Sequence, residues 1–166
     1  MAKKILVVYA SRGGSTMEAA GKIADELSSQ ENTTAEVISV KKAKDIASYD
    51  AIVLGSAIWM GRPLPEMVSF IKSYKPILST KKVAVFGLCM TLKDQTPESL
   101  KAVGTYFEPI KALISPIDMQ LFAGKVDPSR LGLFARLAIK MVKAPVGDFR
   151  NWDTIRSWVE ELKKKL

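Results

Sequence analysis

Three short segments hold the residues whose types and spacing could do chemistry. The first is Ser11-Arg12-Gly13-Gly14-Ser15-Thr16, which runs straight into a stretch of helical spacing. Two adjacent glycines let a backbone turn sharply, so that several N–H groups face one point. The hydroxyls of Ser11, Ser15 and Thr16 add donors, and a helix N-terminus adds positive potential. Together they suit a terminal phosphate. The segment is not a Walker loop, because no Gly-Lys-Ser/Thr follows at the required spacing, and it also lacks Gly-x-Gly-x-x-Gly. A glycine-rich turn with a serine cap and no ligand is the alternative. The second segment, Gly55-Ser56-Ala57-Ile58-Trp59-Met60-Gly61-Arg62, sets a tryptophan beside methionine and glycine. A planar aromatic ligand would stack on that ring, and Gly61 would permit close backbone approach; otherwise Trp59 caps the core. The third segment is Gly87-Leu88-Cys89-Met90-Thr91-Leu92-Lys93-Asp94. Its backbone can hydrogen-bond the edge of a heterocycle, with Thr91 as a further donor or acceptor. Cys89, with no histidine to activate it, reads as a small buried filler rather than a nucleophile.

The sequence has no histidine and one cysteine. That excludes Ser-His-Asp and Cys-His nucleophile systems, imidazole general bases, His-dependent zinc sites and all-thiolate metal clusters. Chemistry on this chain therefore needs a cofactor to carry it. No residue is assigned a catalytic or metal-binding role. Lys and Arg number 25 against 17 Asp and Glu, a net charge of +8, which favours anionic partners.

These segments need a scaffold, and the rest of the chain supplies one. Ile5–Tyr9, Ala35–Val40, Ala51–Ala57, Val83–Met90 and Ile117–Phe122 read as strands, several of them apolar without alternation. Helical spacing runs over Thr16–Leu27, around Val68, Ile71 and Tyr74, and over Pro97–Leu113, Arg130–Lys143 and Trp152–Leu166. Apolar strands alternating with helices mean a doubly wound parallel sheet with helices on both faces. In such sheets, ligands bind beyond the carboxyl ends of strands where the strand order reverses. The loops after strands one, three and four are the three segments above. The 166 residues are expected to form a single domain, residues 1–166, with no internal repeat. The first apolar stretch is too short for a signal peptide and reads as a strand, so a cytoplasmic location is expected.

At this point the pattern resembles the flavodoxin family, along the whole chain. Tyr9-Ala10-Ser11-Arg12-Gly13-Gly14-Ser15-Thr16 is similar to its phosphate loop, Ser/Thr-x-Thr-Gly-x-Thr, with Gly13 standing where the middle Thr is common. The resemblance implies a five-stranded sheet of order 2-1-3-4-5 and FMN as cofactor. It also implies an aromatic contact from Trp59 to the isoalloxazine ring. Met60-Gly61 resembles the peptide that, in some members, flips to hydrogen-bond the reduced ring. The FMN-binding residues on this reading are Ser11, Arg12, Gly13, Gly14, Ser15, Thr16, Ala57, Ile58, Trp59, Met60, Gly61, Leu88, Cys89, Met90, Thr91, Leu92 and Asp94. Within the superfamily, the chain is most similar to the menaquinone-dependent protoporphyrinogen IX dehydrogenases. Gly55-Ser56-Ala57-Ile58, Phe122-Ala123-Gly124, Asn151-Trp152-Asp153-Thr154-Ile155 and an insertion over Leu131–Met141 carry that likeness.

Electron-carrier flavodoxins are typically acidic, whereas this chain is basic. From Lys125 to Lys143 stand Lys125, Arg130, Arg136, Lys140 and Lys143 against Asp127, which is +4 of the total +8. Leu131, Leu133, Phe134, Leu137, Ile139, Met141 and Val142 share the segment. An apolar helix edged with cations suits a peripheral membrane contact, a quinone pool or a carboxylate-bearing tetrapyrrole. The alternative is a helix that buries its apolar face on the sheet. Three functions follow: electron transfer through FMN between protein or quinone partners, FMN-dependent protoporphyrinogen oxidation linked to a quinone, and a non-redox phosphate- or nucleic-acid-binding module. Nucleic acid is the weakest partner, since the cations lie scattered with no aromatic-lined strand face or reading helix.

Overall fold

Each of the five expected strands forms in the computed structural model, which describes residues 2–166. The strands are β1 (Lys3–Ala10), β2 (Thr33–Ser39), β3 (Ala51–Trp59), β4 (Arg62–Pro63), β5 (Lys82–Cys89), β6 (Asp118–Ala123), β7 (Lys125–Val126) and β8 (Gly147–Asp148). The five long ones are parallel in the order β2-β1-β3-β5-β6. Counted without the two-residue strands, this is the expected 2-1-3-4-5. The order reverses beside β1, so the ends of β1, β3 and β5 surround one crevice.

The helices are α1 (Ser15–Ser28), α2 (Pro65–Leu78), α3 (Pro97–Val103), α4 (Glu108–Lys111), α5 (Leu133–Met141) and α6 (Trp152–Lys163). Because strand side chains alternate between faces, each buried strand feeds two cores. Ile5, Val7, Val53, Phe86 and Phe122 pack with Ala19, Ile23 and Leu27 of α1 and Ile155, Val159 and Leu162 of α6. Leu6, Val8, Ile52, Leu54 and Val85 pack with Met67, Phe70 and Ile71 of α2 and Ile110 of α4. Gly55 has a steric role here. A Cβ on it would stand 2.0 Å from Cζ of Phe86, so only glycine leaves room for that ring. No helix among the described residues is long and apolar enough to cross a membrane.

Three expected helices are shorter in the structure, the last of them ending at Lys163 rather than Leu166. Pro97–Leu113 splits into α3 and α4, because Gly104 caps α3 and Pro109 cannot donate a helical hydrogen bond. Arg130–Lys143 contracts to Leu133–Met141, because Leu131 and Gly132 are extended and Pro128–Arg130 form a separate 3-10 turn. Three expected strands are longer: β1 spans Lys3–Ala10, β2 spans Thr33–Ser39, and β3 extends past Ala57. β3 continues through Trp59, where it turns back in an antiparallel hairpin with β4. The two-residue strands escaped the sequence reading, since a two-residue ladder leaves no periodicity. The β7–β8 pair, Lys125 opposite Asp148 and Val126 opposite Gly147, closes the base of the insertion that carries α5.

Candidate functional site

The first segment becomes the entry to α1. Gly14 caps the helix with φ at +89°, in the left-handed region, and no side chain caps the first turn. The first N–H groups of a helix have no intrahelical acceptor, so this end is open to an anion. The Gly14 N–H instead closes the turn by donating to Ser11 Oγ at 2.9 Å. Thr16 is wholly buried, and its hydroxyl has no hydrogen-bond partner. A buried hydroxyl left in that state is costly, and a phosphate oxygen at this helix end would relieve it.

The second segment forms a tight turn. Trp59 pairs with Arg62, leaving Met60 and Gly61 as a two-residue connection with φ of +51° and +74°. Positive φ at both positions is the type I′ hairpin, which demands glycine or a tolerant residue and is strained at Met60. Ser56 braces the base of this hairpin, accepting the Leu64 N–H at 3.0 Å and donating to the Ala57 carbonyl at 2.8 Å. Trp59 is 39% exposed and belongs to neither core cluster, so it does not cap the core.

The third segment bends into a 3-10 turn over Met90–Lys93. Thr91 Oγ1 meets the Tyr106 hydroxyl at 3.0 Å, and the Tyr106 ring lies against Gly61, tying the second and third segments together. Burial pushes the Cys89 thiol up to about 11, so it stays neutral near pH 7.

These elements surround a cavity of about 600 Å³ at the carboxyl edge of the sheet, within the usual range for a cofactor site. Arg12, Gly13, Ser15, Ala57, Ile58, Trp59, Met60, Gly61, Leu88, Cys89, Met90 and Thr91 line it. Ser11, Gly14 and Thr16 sit in the turn rather than on the lining. Leu92 and Asp94 also stand off, since the tight 3-10 turn buries Leu92 in the protein and leaves Asp94 exposed.

A fourth wall carries no local signal in the sequence. The insertion folds over the crevice, and Ala138, Ile139, Met141, Val142 and Ala144 line the cavity from α5 and its end. Leu131 rests over Gly13, its Cδ2 being 3.2 Å from where a Cβ would stand. One carboxylate ties both ends of the insertion to α1. Glu18 accepts from Arg130 Nη1 at 2.7 Å and from Arg150 Nη1 at 2.8 Å, with Lys125 Nζ at 3.9 Å. The Arg150 side chain is almost wholly buried, also holds Asp148 at 2.8 Å, and stacks on Trp152 at 4.6 Å. Hydrogen bonds from Arg150 hold Glu18 and Asp148 below the usual carboxylate range, and Asp148 in turn raises Arg150. Lys125, Arg130 and Arg150 are balanced by Glu18, Asp127 and Asp148. The attraction for an anion therefore comes from the N–H groups and dipole of α1 more than from side-chain charge. Arg12 also lines the cavity, and it is paired with Glu66 at 3.5 Å.

A five-stranded parallel sheet of this order, with helices on both faces and a crevice at its switch point, defines a doubly wound α/β protein. The sequence matches the family described as Flavodoxin domain over residues 6–152, and the chain belongs to that family. Solved structures agree on the fold. Oxidised flavodoxin 1 from Bacillus cereus is 22% identical with a TM-score of 0.62, and 99% of each chain is covered. A flavodoxin from Streptococcus pneumoniae TIGR4 is 17% identical with a TM-score of 0.59, covering 98% of this chain and 99% of that one. Fusobacterium nucleatum flavodoxin, solved bound to flavin mononucleotide, is 13% identical with a TM-score of 0.58 and 99% of each chain covered.

Proposed function

We propose that this chain is an FMN-binding electron-transfer protein. The observation that carries the reading is the open end of α1, where the buried Thr16 hydroxyl lacks a partner beneath the Gly13-Gly14 turn. Ser15, Thr16 and the first-turn N–H groups would hold the phosphate. Trp59, Met60 and Gly61 on one side, with Leu88–Thr91 on the other, would hold the ring. Bound FMN supplies reversible one- and two-electron transfer. The residues around it offer a largely apolar surround: the nearby Cys89 thiol is neutral, and the insertion adds an apolar wall. The partner is a redox protein or a quinone, and a peripheral membrane contact through segment 125–143 belongs to the same reading.

Titration with FMN and with riboflavin tests it. FMN is expected to give a yellow one-to-one complex, with riboflavin, which lacks the phosphate, at least ~100-fold weaker. Hydrogen bonds to a charged group contribute ~1.5–3 kcal/mol each, so two suffice for that gap. Equal affinities would remove the phosphate site.

A second reading is quinone-linked protoporphyrinogen oxidation. The apolar wall from Leu131, Ala138, Ile139 and Met141 favours it, since such a wall suits a small apolar reactant better than a protein surface. Mixed anaerobically with protoporphyrinogen, the FMN-loaded protein should then lose its visible absorbance and regain it with a menaquinone analogue. Absorbance lost to dithionite but not to porphyrinogen would leave the carrier.

A further inference from the structure

The insertion has two sides, and the cavity wall is built from the inner one. On the outer side Leu133, Phe134, Leu137, Met141 and Val142 form one stripe of α5, each between 53% and 86% exposed. They project from the surface, and Met141 and Val142 also line the cavity, so the stripe reaches the cavity mouth. The mouth carries exposed Met60 and Trp59 as well.

Charge divides the segment in the same way. Lys125 and Arg130 turn toward Glu18, but Arg136, Lys140 and Lys143 are exposed with no ion-pair partner among the described residues. Arg136 donates to the Ser129 and Leu131 carbonyls, which fixes its position and leaves its charge uncompensated. Between Pro128 and Gly147 there is no Asp or Glu at all.

From this pairing of an apolar stripe with unpaired cations, we infer that the outer face of α5 docks on an anionic lipid surface and presents the cavity mouth to the bilayer. The inference names the partner surface of the site described above and rests on the electron-transfer reading for its purpose. A nine-residue helix is about 14 Å long, too short to cross the ~30 Å hydrocarbon layer, so it lies in the interface. Exposed apolar side chains enter the headgroup boundary while Arg136, Lys140 and Lys143 meet lipid phosphates. A second copy of this chain is the poorer occupant, since a self-complementary contact would set these cations against their own kind. Docked this way, an acceptor dissolved in the membrane would reach the cavity without entering water.

Cosedimentation of the FMN-loaded protein with vesicles decides it. The vesicles are phosphatidylcholine alone, or phosphatidylcholine mixed with phosphatidylglycerol. Each Lys or Arg near an anionic surface strengthens binding about fivefold, so three cations give roughly 100-fold tighter binding to the mixed vesicles, weakened by salt. Arg136→Glu with Lys140→Glu should reduce that binding at least ~25-fold. Phe134→Ser with Leu137→Ser should reduce it about tenfold or more through lost apolar burial. All four positions are exposed, and retained yellow colour reports that each variant is folded and loaded. A yellow protein that stays in the supernatant with both vesicles overturns the inference while leaving FMN binding intact. A colourless protein overturns the electron-transfer reading instead. Variants that sediment like wild type, or a dimer that Phe134→Ser with Leu137→Ser converts to monomer, also overturn the docking.

Discussion

Replacing Thr16 by valine should stabilise the protein without its cofactor and weaken the cofactor's hold, two effects of opposite sign from one atom. The Thr16 side chain is fully buried, and its hydroxyl has no partner. Valine keeps the branched shape and fills the same space, so packing is conserved while the unsatisfied group is removed. An unpaired buried hydroxyl costs about 1–3 kcal/mol, and relieving it should raise the melting temperature of the flavin-free chain by roughly 2–12 °C at this size. The same change deletes a hydrogen bond to a charged phosphate, about 1.5–3 kcal/mol, or about 10- to 150-fold in FMN affinity. The assay is a thermal melt of the flavin-free protein beside fluorescence titrations with FMN and riboflavin. Riboflavin affinity should not move, because it carries no phosphate. A lower melting temperature, or equal loss for FMN and riboflavin, would show that the hydroxyl serves packing and that the phosphate lies elsewhere.

Gly14→Val should abolish FMN binding, because φ of +89° is closed to a branched residue and its side chain would crowd Arg130 over the turn; unchanged affinity in a titration would remove the loop from the site. Trp59→Ala should weaken FMN by about tenfold and shift its potential, read by spectroelectrochemistry, whereas wild-type values would return Trp59 to a surface role. Glu18 and Asp148 have lowered carboxylate pKa values in the folded protein, so their ties to Arg150 contribute stability above the usual carboxylate range and lose it as pH falls through those lowered values. Glu18→Gln should therefore lower the melting temperature near pH 7, flatten its acid decline below about pH 4, and speed FMN release, measured by stopped-flow dilution. Gly55→Ala should destabilise by about 1–3 kcal/mol in urea denaturation, since the added methyl meets the Phe86 ring at 2.0 Å.

The strands and the three loops at their carboxyl ends were legible in the chain, because both depend on neighbours in sequence. A run such as Ile5-Leu6-Val7-Val8 has to be buried on both faces wherever it lies, and Gly13-Gly14 before a helical stretch makes an anion-accepting turn by local geometry alone. Helix lengths were less legible. Periodicity continued across Gly104 and Pro109 and across Leu131-Gly132, where backbone chemistry interrupts the helix. The absence of histidine likewise assigns the chemistry to a cofactor from composition alone.

The fourth wall of the cavity belongs to tertiary structure. Glu18 reads in sequence as an ordinary first-turn acid on α1, yet its partners Arg130 and Arg150 lie 112 and 132 residues away. The paired β7 and β8 strands bring both ends of the insertion to it. The same folding divides one basic, apolar segment in two. Its ends and inner side close the cavity, while Arg136, Lys140 and Lys143 remain outside with the Phe134 stripe. Composition shows how many charges and apolar groups a segment holds. Which of them face the cavity and which face solvent depends on contacts between distant residues, and those exist only once the chain has folded.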